Sequence, residues 1–337
     1  MTVKILVLRF SSIGDIVLTT PVVRALKQQV PNVELHYATK PTFEPLLTDN
    51  PHVDRVHRLD TTLAALIKAL RAERFDYVID LHRNLRTALI KAALRVPSRS
   101  FDKLNRQKYL LVRAKIDRLP NRHIVDRYLD TVAPLGAYDD GGGLDYFIPY
   151  KDEVERDWLP ETHRKEYVAY AIGGQHATKR LPLPRMIELC DKINKPIVLL
   201  GGPEDRAVGD EIVRFFARNA GSEPYEDGLR QLGKKALVHN ACGQYNLNQS
   251  ASLVRGARAV FTHDTGLMHV AAAFQKPIYS IWGSTTPKFG MYPYRTRFVV
   301  FENNRLGCRP CSKIGHDKCP KGHFKCMNEL VFDFYLP

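Results

Sequence analysis

Short aliphatic runs alternate along this chain with stretches whose apolar residues recur every three to four positions. Val3 to Leu8 is a nearly unbroken aliphatic run, the pattern of a parallel strand buried on both faces. Two serines and a glycine then punctuate the chain, after which Ile16, Val17, Leu18, Val22, Val23 and Leu26 return at helical spacing. The same reading predicts strands at 33–39, 53–59 and 77–81 and helices at 62–73 and 87–94. Residues 103–122 lack a clear period and read as a long loop or short helices. A helix is expected from 124 to 135, ending at Gly136.

A second series begins at 167–172. Strands are predicted there and at 196–200, 237–242, 259–263 and 277–282, the last being the final clear strand. Helices are predicted at 184–193, 206–218, 249–256 and 267–274. Strand and helix alternate throughout, as in doubly wound parallel sheets. Asp139-Asp140-Gly141-Gly142-Gly143 separates the two series and is the best linker in the chain. The pattern predicts two Rossmann-like α/β domains facing across a cleft, at 1–150 and 151–305, with a Cys-rich tail segment at 306–337.

The chain has 337 residues, of which 44% are hydrophobic and 26% charged, as in a soluble globular protein. No run has the length of a membrane span, and the chain opens on a strand rather than a signal peptide, so a cytoplasmic protein is expected. The formal net charge is +14. It favours an anionic partner: nucleic acid, an acidic membrane surface or a phosphorylated substrate. No nucleic-acid-binding motif is present, which makes nucleic acid the disfavoured member of that set.

Candidate chemistry collects where strands end, because ligands of open α/β sheets bind outside those ends. The first turn, Ser11-Ser12-Ile13-Gly14-Asp15, has neither GxGxxG nor GxxxxGK[ST]. Asp15 is there either a helix cap or an ionised general base, which the helix N-terminus would keep charged and cleft closure would strengthen. His82, Arg83, Asn84 and Arg86 follow the 77–81 strand on the same edge. The basic stretch from Lys103 to Arg122 is either a solvated face or a landing site for a phosphorylated acceptor. In the second half, Asp264-Thr265-Gly266 ends a strand and opens a helix. Gly266 permits close ligand approach, and the free N–H groups suit a diphosphate. His269 lies about one turn on. Of the six cysteines, Cys308, Cys311, Cys319 and Cys326, with His316 and His323 among them, form either a structural zinc site or packed free thiols.

The stretches Ser11 to Asp15, Tyr77 to Arg86, Lys179-Arg180-Leu181-Pro182, Gly201-Gly202-Pro203-Glu204, Asp264 to Ala273 with Pro277, and Cys308-Arg309-Pro310-Cys311 resemble, in order, those of the heptosyltransferases of glycosyltransferase family 9. The resemblance spans nearly the whole chain. It implies a GT-B fold and an inverting transfer of a heptose or similar sugar from an ADP-sugar to the inner core of lipopolysaccharide, and with no Asp-x-Asp motif at a strand end a metal-independent transfer is expected. It implies that Asp15 is the catalytic base and that Lys179 binds the donor phosphates and supports the leaving group. Ser12, Gly174, Arg180, Glu204, Asp264, Thr265, Gly266 and His269 would complete the donor site. Arg83, Asn84 and Arg86 would meet the acceptor. Two features depart from the family pattern: Leu181 stands where tryptophan is usual, and Gly174 and Gln175 stand where hydroxyl residues are common.

No cofactor is implied beyond the donor substrate, and no catalytic metal. The expected partners are the nucleotide-sugar and a phosphorylated glycolipid, met by a monomer at the cytoplasmic face of the inner membrane. The crossing helix that closes many GT-B proteins reads as short or missing, as in a truncated chain. The competing readings are a GT-B enzyme using a UDP- or GDP-sugar, a nucleotide-sugar epimerase, and the nucleic-acid-binding protein.

Overall fold

The computed structural model describes residues 2–219 and 236–336. The first half holds β1 (Val3–Leu8), α1 (Ile13–Val17), α2 (Thr20–Gln29), β2 (Val33–Thr39), β3 (Arg55–Arg58), α3 (Leu63–Glu73), β4 (Tyr77–Asp80), α4 (Leu85–Leu94), β5 (Ser98–Ser100), α5 (Asn105–Ala114) and α6 (Ile124–Leu129). Its five strands are parallel, in the order β3-β2-β1-β4-β5. The second half begins with α7 (Glu161–Arg164) and continues through β6 (Val168–Ala171), α8 (Leu183–Ile193), β7 (Ile197–Leu200), α9 (Arg206–Asn219) and β8 (Val238–Asn240). It is completed by α10 (Leu247–Gly256), β9 (Val260–His263), α11 (Gly266–Ala273), β10 (Ile278–Trp282), β11 (Phe298–Glu302) and α12 (Lys325–Asn328). These six strands are also parallel, ordered β11-β10-β9-β6-β7-β8. The expected α/β architecture of two Rossmann-like sheets is present.

Each sheet reverses its winding once, between β1 and β4 in the first and between β6 and β9 in the second. Such reversals leave a crevice at the strand ends. The turns after β1, β4, β6 and β9 carry the Asp15, Arg83, Lys179 and Asp264 segments. The burial pattern follows from composition: Ile5 to Leu8, Val198 to Leu200 and Val260 to Phe261 are aliphatic or aromatic and buried.

Several elements differ from the periodic reading. The first helix is two, α1 and α2, because Thr19 and Thr20 turn their hydroxyls back onto the Ile16 and Val17 carbonyls and Pro21 opens the next helix. Helix α5 forms within the basic stretch and buries little beyond Leu111. The 124–135 helix stops at Leu129, and a short 3₁₀ turn at Ala133–Leu135 follows. Edge strands β5 and β11 were not expected. Ser98-Arg99-Ser100 has no apolar alternation, and Phe298 and Val299 are exposed.

The last segment is not a detached tail. Cys326, Met327, Leu330 and Phe332 are buried in the same core as Tyr170, Phe261 and Ile281. Arg309 anchors it. Its guanidinium donates to the carbonyls of Gly283, Trp282, Thr285 and Asn303 and pairs with Glu302 at 3.0 Å. Arg309→Ala leaves those carbonyls and a largely buried carboxylate without their cation. Urea denaturation should show a loss of about 3–5 kcal/mol. A loss below about 1 kcal/mol would make the network no more than a surface pairing.

Candidate functional site

The two switch-point turns meet. A Cβ on Gly14 would lie 2.5 Å from His269 Cδ2, and one on Gly266 would lie 2.8 Å from Ile13 Cβ. Glycine at both positions therefore lets α1 and α11 come end to end, bringing the Asp15 turn beside the Thr265-Gly266 turn.

Asp15 lies in the first turn of α1. Its Oδ2 accepts from Ser12 N at 3.2 Å and Ser12 Oγ at 3.0 Å, and pairs with Arg9 at 2.6 Å. Arg9 ends the first strand's run and is buried. It also donates to the Ser11 and Leu81 carbonyls and to the Tyr128 hydroxyl. Burial works to raise the Asp15 pKa, but Arg9 and the Ser12 hydrogen bonds outweigh it and hold the carboxyl below the usual range. Of the groups that hold Asp15 charged against its burial, Arg9 contributes most. Ser12 spends its hydroxyl on Asp15, so it acts in this structure on the base.

Across the cleft, Lys179 sits at the end of a 3₁₀ turn, Ala177–Lys179. Its ammonium is not free. It pairs with Asp264 Oδ2 at 2.7 Å and donates to the Asp264 carbonyl at 3.2 Å. Asp264 also accepts from Thr285 Oγ1 at 2.8 Å. A carboxylate repels a diphosphate, so Asp264 reads as the residue that aims Lys179 rather than as a direct phosphate ligand. Buried Thr178 fixes the turn from behind through Ser284 Oγ and both backbone groups of His316. The Cys-rich segment therefore supports the lysine.

Thr265 caps α11 without a side-chain cap hydrogen bond, leaving first-turn N–H groups for an anion. Gly174 lies beside it: a Cβ there would stand 3.5 Å from Thr265 Cγ2 and 3.3 Å from Arg180 Cγ. Arg180 pairs with buried Asp205 at 3.3 Å, and Asp205 accepts from Gly202 N. Glu204, the expected ribose ligand, is exposed and folds back over Gly202. The sequence reading missed Asp205, which burial drives to a raised pKa. His269 is buried against Gly14 with Nδ1 unpartnered, and burial pushes it down to about 4. It packs between the two helices, against Gly14.

The acceptor candidates divide. Asn84 accepts from Thr87 N at 3.0 Å and caps α4, so its side chain is committed to the helix. Arg83 is exposed and leans on the Phe101 carbonyl and Asp102. Arg86 lies over the Phe10 ring at 5.8 Å, next to the Ser11 turn. Within the basic stretch, Lys115 donates to the carbonyls of Val112, Cys308 and Pro310, and Arg122 pairs with Asp130. Lys108 lies over the Phe289 ring at 5.7 Å, and Asp15 is among the charges acting on both Lys103 and Lys108. Burial lowers both, Lys108 to about 8.

The four tail cysteines gather near enough for their charges to act on one another. Cys308 Sγ lies 3.9 Å from His323 Nε2. Among the described residues, three metal-ligating side chains come within 4.8 Å of one another only at His36, His57 and Glu73.

Two facing parallel-sheet domains, with an acidic turn on one and a lysine-backed anion turn on the other, define a GT-B glycosyltransferase. Residues 63–321 match the family described as glycosyltransferase family 9 (heptosyltransferase), and the chain belongs to it. It is 25% identical to the lipooligosaccharide heptosyltransferase 2 of Haemophilus influenzae, over 97% of this chain and 99% of that one. Among solved structures it resembles a family 9 glycosyl transferase from Veillonella parvula, with a TM-score of 0.68, 23% identity, and 88% and 86% of the two chains covered. It also resembles the E. coli ADP-heptose lps heptosyltransferase II, with a TM-score of 0.66, 21% identity, and 97% and 98% covered. The epimerase and nucleic-acid readings are not favoured. Among the described residues, no helix is long and apolar enough to cross a membrane.

Proposed function

We propose that this chain transfers heptose from ADP-heptose to the inner core of lipopolysaccharide, with inversion at the anomeric carbon and without a metal. The observation that carries this reading is the end-to-end meeting of the Asp15 and Thr265-Gly266 turns, beside the Lys179–Asp264 pair. Asp15 removes the acceptor hydroxyl's proton as that oxygen attacks the anomeric carbon. The bond to the diphosphate breaks on the opposite side. Lys179 and the N–H groups of α11 take up the charge that builds on the leaving ADP, the part a divalent ion plays in other enzymes. Membership of a heptosyltransferase family supports the donor, and the similar protein's name supports the acceptor.

The test is a donor screen read by mass spectrometry on a heptose-deficient inner-core acceptor. ADP-heptose should add one heptose, in EDTA as well as without it. Transfer only from a UDP- or GDP-sugar would overturn the donor assignment, and abolition by EDTA the metal-free step.

The acceptor side rests on charge. Arg86, over the Phe10 ring, and Lys103, on which the Asp15 charge acts, would meet a phosphorylated glycolipid at the cytoplasmic surface of the membrane, which the enzyme visits as a monomer. Arg86→Glu or Lys103→Glu should raise the acceptor KM and leave ADP affinity unchanged. The effect should weaken as salt shortens the reach of exposed charges to about 8 Å at physiological ionic strength. A loss of ADP affinity instead would contradict the division of the cleft into donor and acceptor sides.

A further inference from the structure

The first sheet carries a second group of chemistry-bearing side chains that the transfer does not use. His36 on β2 and His57 on β3 lie on one face of the sheet, His57 being registered against Ala38. Both are buried, and α3 ends above them at Glu73. His36 Nδ1 and His57 Nε2 are 2.9 Å apart, and the ligand atoms of His36, His57 and Glu73 all lie within 4.8 Å of one another. The far nitrogen of His36 meets Glu34 Oε1 at 2.8 Å. In the neutral ring that contact sets the tautomer. Nε2 carries the hydrogen and donates it to the carboxylate, so Nδ1 presents a lone pair toward His57. Phe75 stands edge-on to both rings.

We propose that His36, His57 and Glu73 form a binding site for a divalent transition-metal ion of the zinc class. Two imidazole nitrogens and one carboxylate oxygen are ligands that suit Zn²⁺ and Co²⁺. Glu34 behind His36 supplies the carboxylate–histidine–metal arrangement that orients a ligating imidazole and raises its basicity. Binding requires His57 to exchange its ring hydrogen from Nε2 to Nδ1, which leaves it neutral and frees the Nε2 lone pair. No proton is lost in that exchange. Glu73 now pairs with Arg55 and, at 3.5 Å, with Lys4. The Arg55 side chain is 61% exposed, so it can turn to water and release the carboxylate. Water completes the coordination. The ion would tie β2, β3 and the end of α3 together, and none of its ligands belongs to the Asp15 or Asp264 turns. The site is therefore structural, and it stands or falls independently of the transfer reaction.

The experiment is a titration of chelator-treated full-length protein with Co²⁺ and with Zn²⁺, followed by equilibrium dialysis and the visible spectrum of the cobalt form. Wild type should take up one equivalent through nitrogen and oxygen ligands. A variant with serine at Cys308, Cys311, Cys319 and Cys326 should keep that equivalent. His57→Gln should weaken binding at least roughly tenfold, with far-UV circular dichroism and ADP affinity unchanged. Glu73→Gln, at a less buried position, makes the same prediction should His57→Gln fail to fold. Absence of uptake, equal uptake in wild type and Glu73→Gln, or a thiolate spectrum that vanishes with the cysteines would each overturn the proposal.

Discussion

Alanine at Lys179 should lower kcat by about 10²–10³, the cost of removing one preorganised donor to a charge that develops in the transition state. ADP should also bind more weakly, because the ammonium meets the diphosphate in the ground state as well. Lys179 is held on Asp264 before any ligand arrives. A diphosphate entering beside Thr265 must therefore share the ammonium with a carboxylate. That competition restrains ground-state binding, while the aim given by Asp264 serves the later, more highly charged state. Asp264→Asn separates the two roles. Its amide no longer repels the diphosphate, so ADP affinity should hold or improve. The lysine loses its fixed direction, so kcat should fall. Calorimetric titration with ADP and single-turnover kinetics measure the two quantities. Undiminished turnover in Lys179→Ala would remove the lysine from the reaction, and loss of ADP affinity in Asp264→Asn would make Asp264 a direct ligand.

Most strands and helices and the site turns were legible because they depend on short-range pattern. The aliphatic run of 3–8 and the Asp-Thr-Gly opening of α11 each declare a strand that stops and a helix that starts. What the pattern could not show is how charges are shared between distant segments. Arg9 reads as the end of a strand, and only the fold brings it between Leu81, Tyr128 and Asp15. Its signal was a single cation closing an apolar run just before the turn. Asp205 and Glu204 are adjacent acids, and nothing local says that the first is the buried one. Asn84 illustrates the converse. Its spacing to Thr87 is that of a capping box, a local rule that explains the residue without an acceptor. Edge strand β5 escaped detection because Ser98-Arg99-Ser100 is polar and only three residues long, so its pairing with β4 rather than any apolar pattern makes it a strand.

Asparagine at Asp15 keeps the shape of the side chain and removes its basicity, so kcat should fall by about 10²–10⁴, the usual size of general acid–base catalysis. ADP affinity should stay close to wild type, because Asp15 belongs to α1 and the proposed donor turn to α11. The pH profile tests the origin of that basicity. In the native protein burial pushes the Asp15 pKa up, and Arg9 with the Ser12 hydrogen bonds pulls it further down, to a value below the ordinary one. The acid limb of kcat/KM should therefore lie below about pH 4, the usual aspartate range. The same pair stabilises the fold at pH values above that range, and this contribution is lost as pH falls through the lower folded value. Arg9→Met takes away the cation and leaves the burial, so the limb should move up in pH and activity near pH 5 should drop relative to pH 8. Arg9→Lys keeps the charge and should hold the limb close to its native position, even though a lysine cannot meet Leu81, Ser11 and Tyr128 together. If both variants lost activity uniformly at every pH, Arg9 would be a packing residue. If Asp15→Asn turned over at the native rate, Asp15 would be no more than the cap of α1.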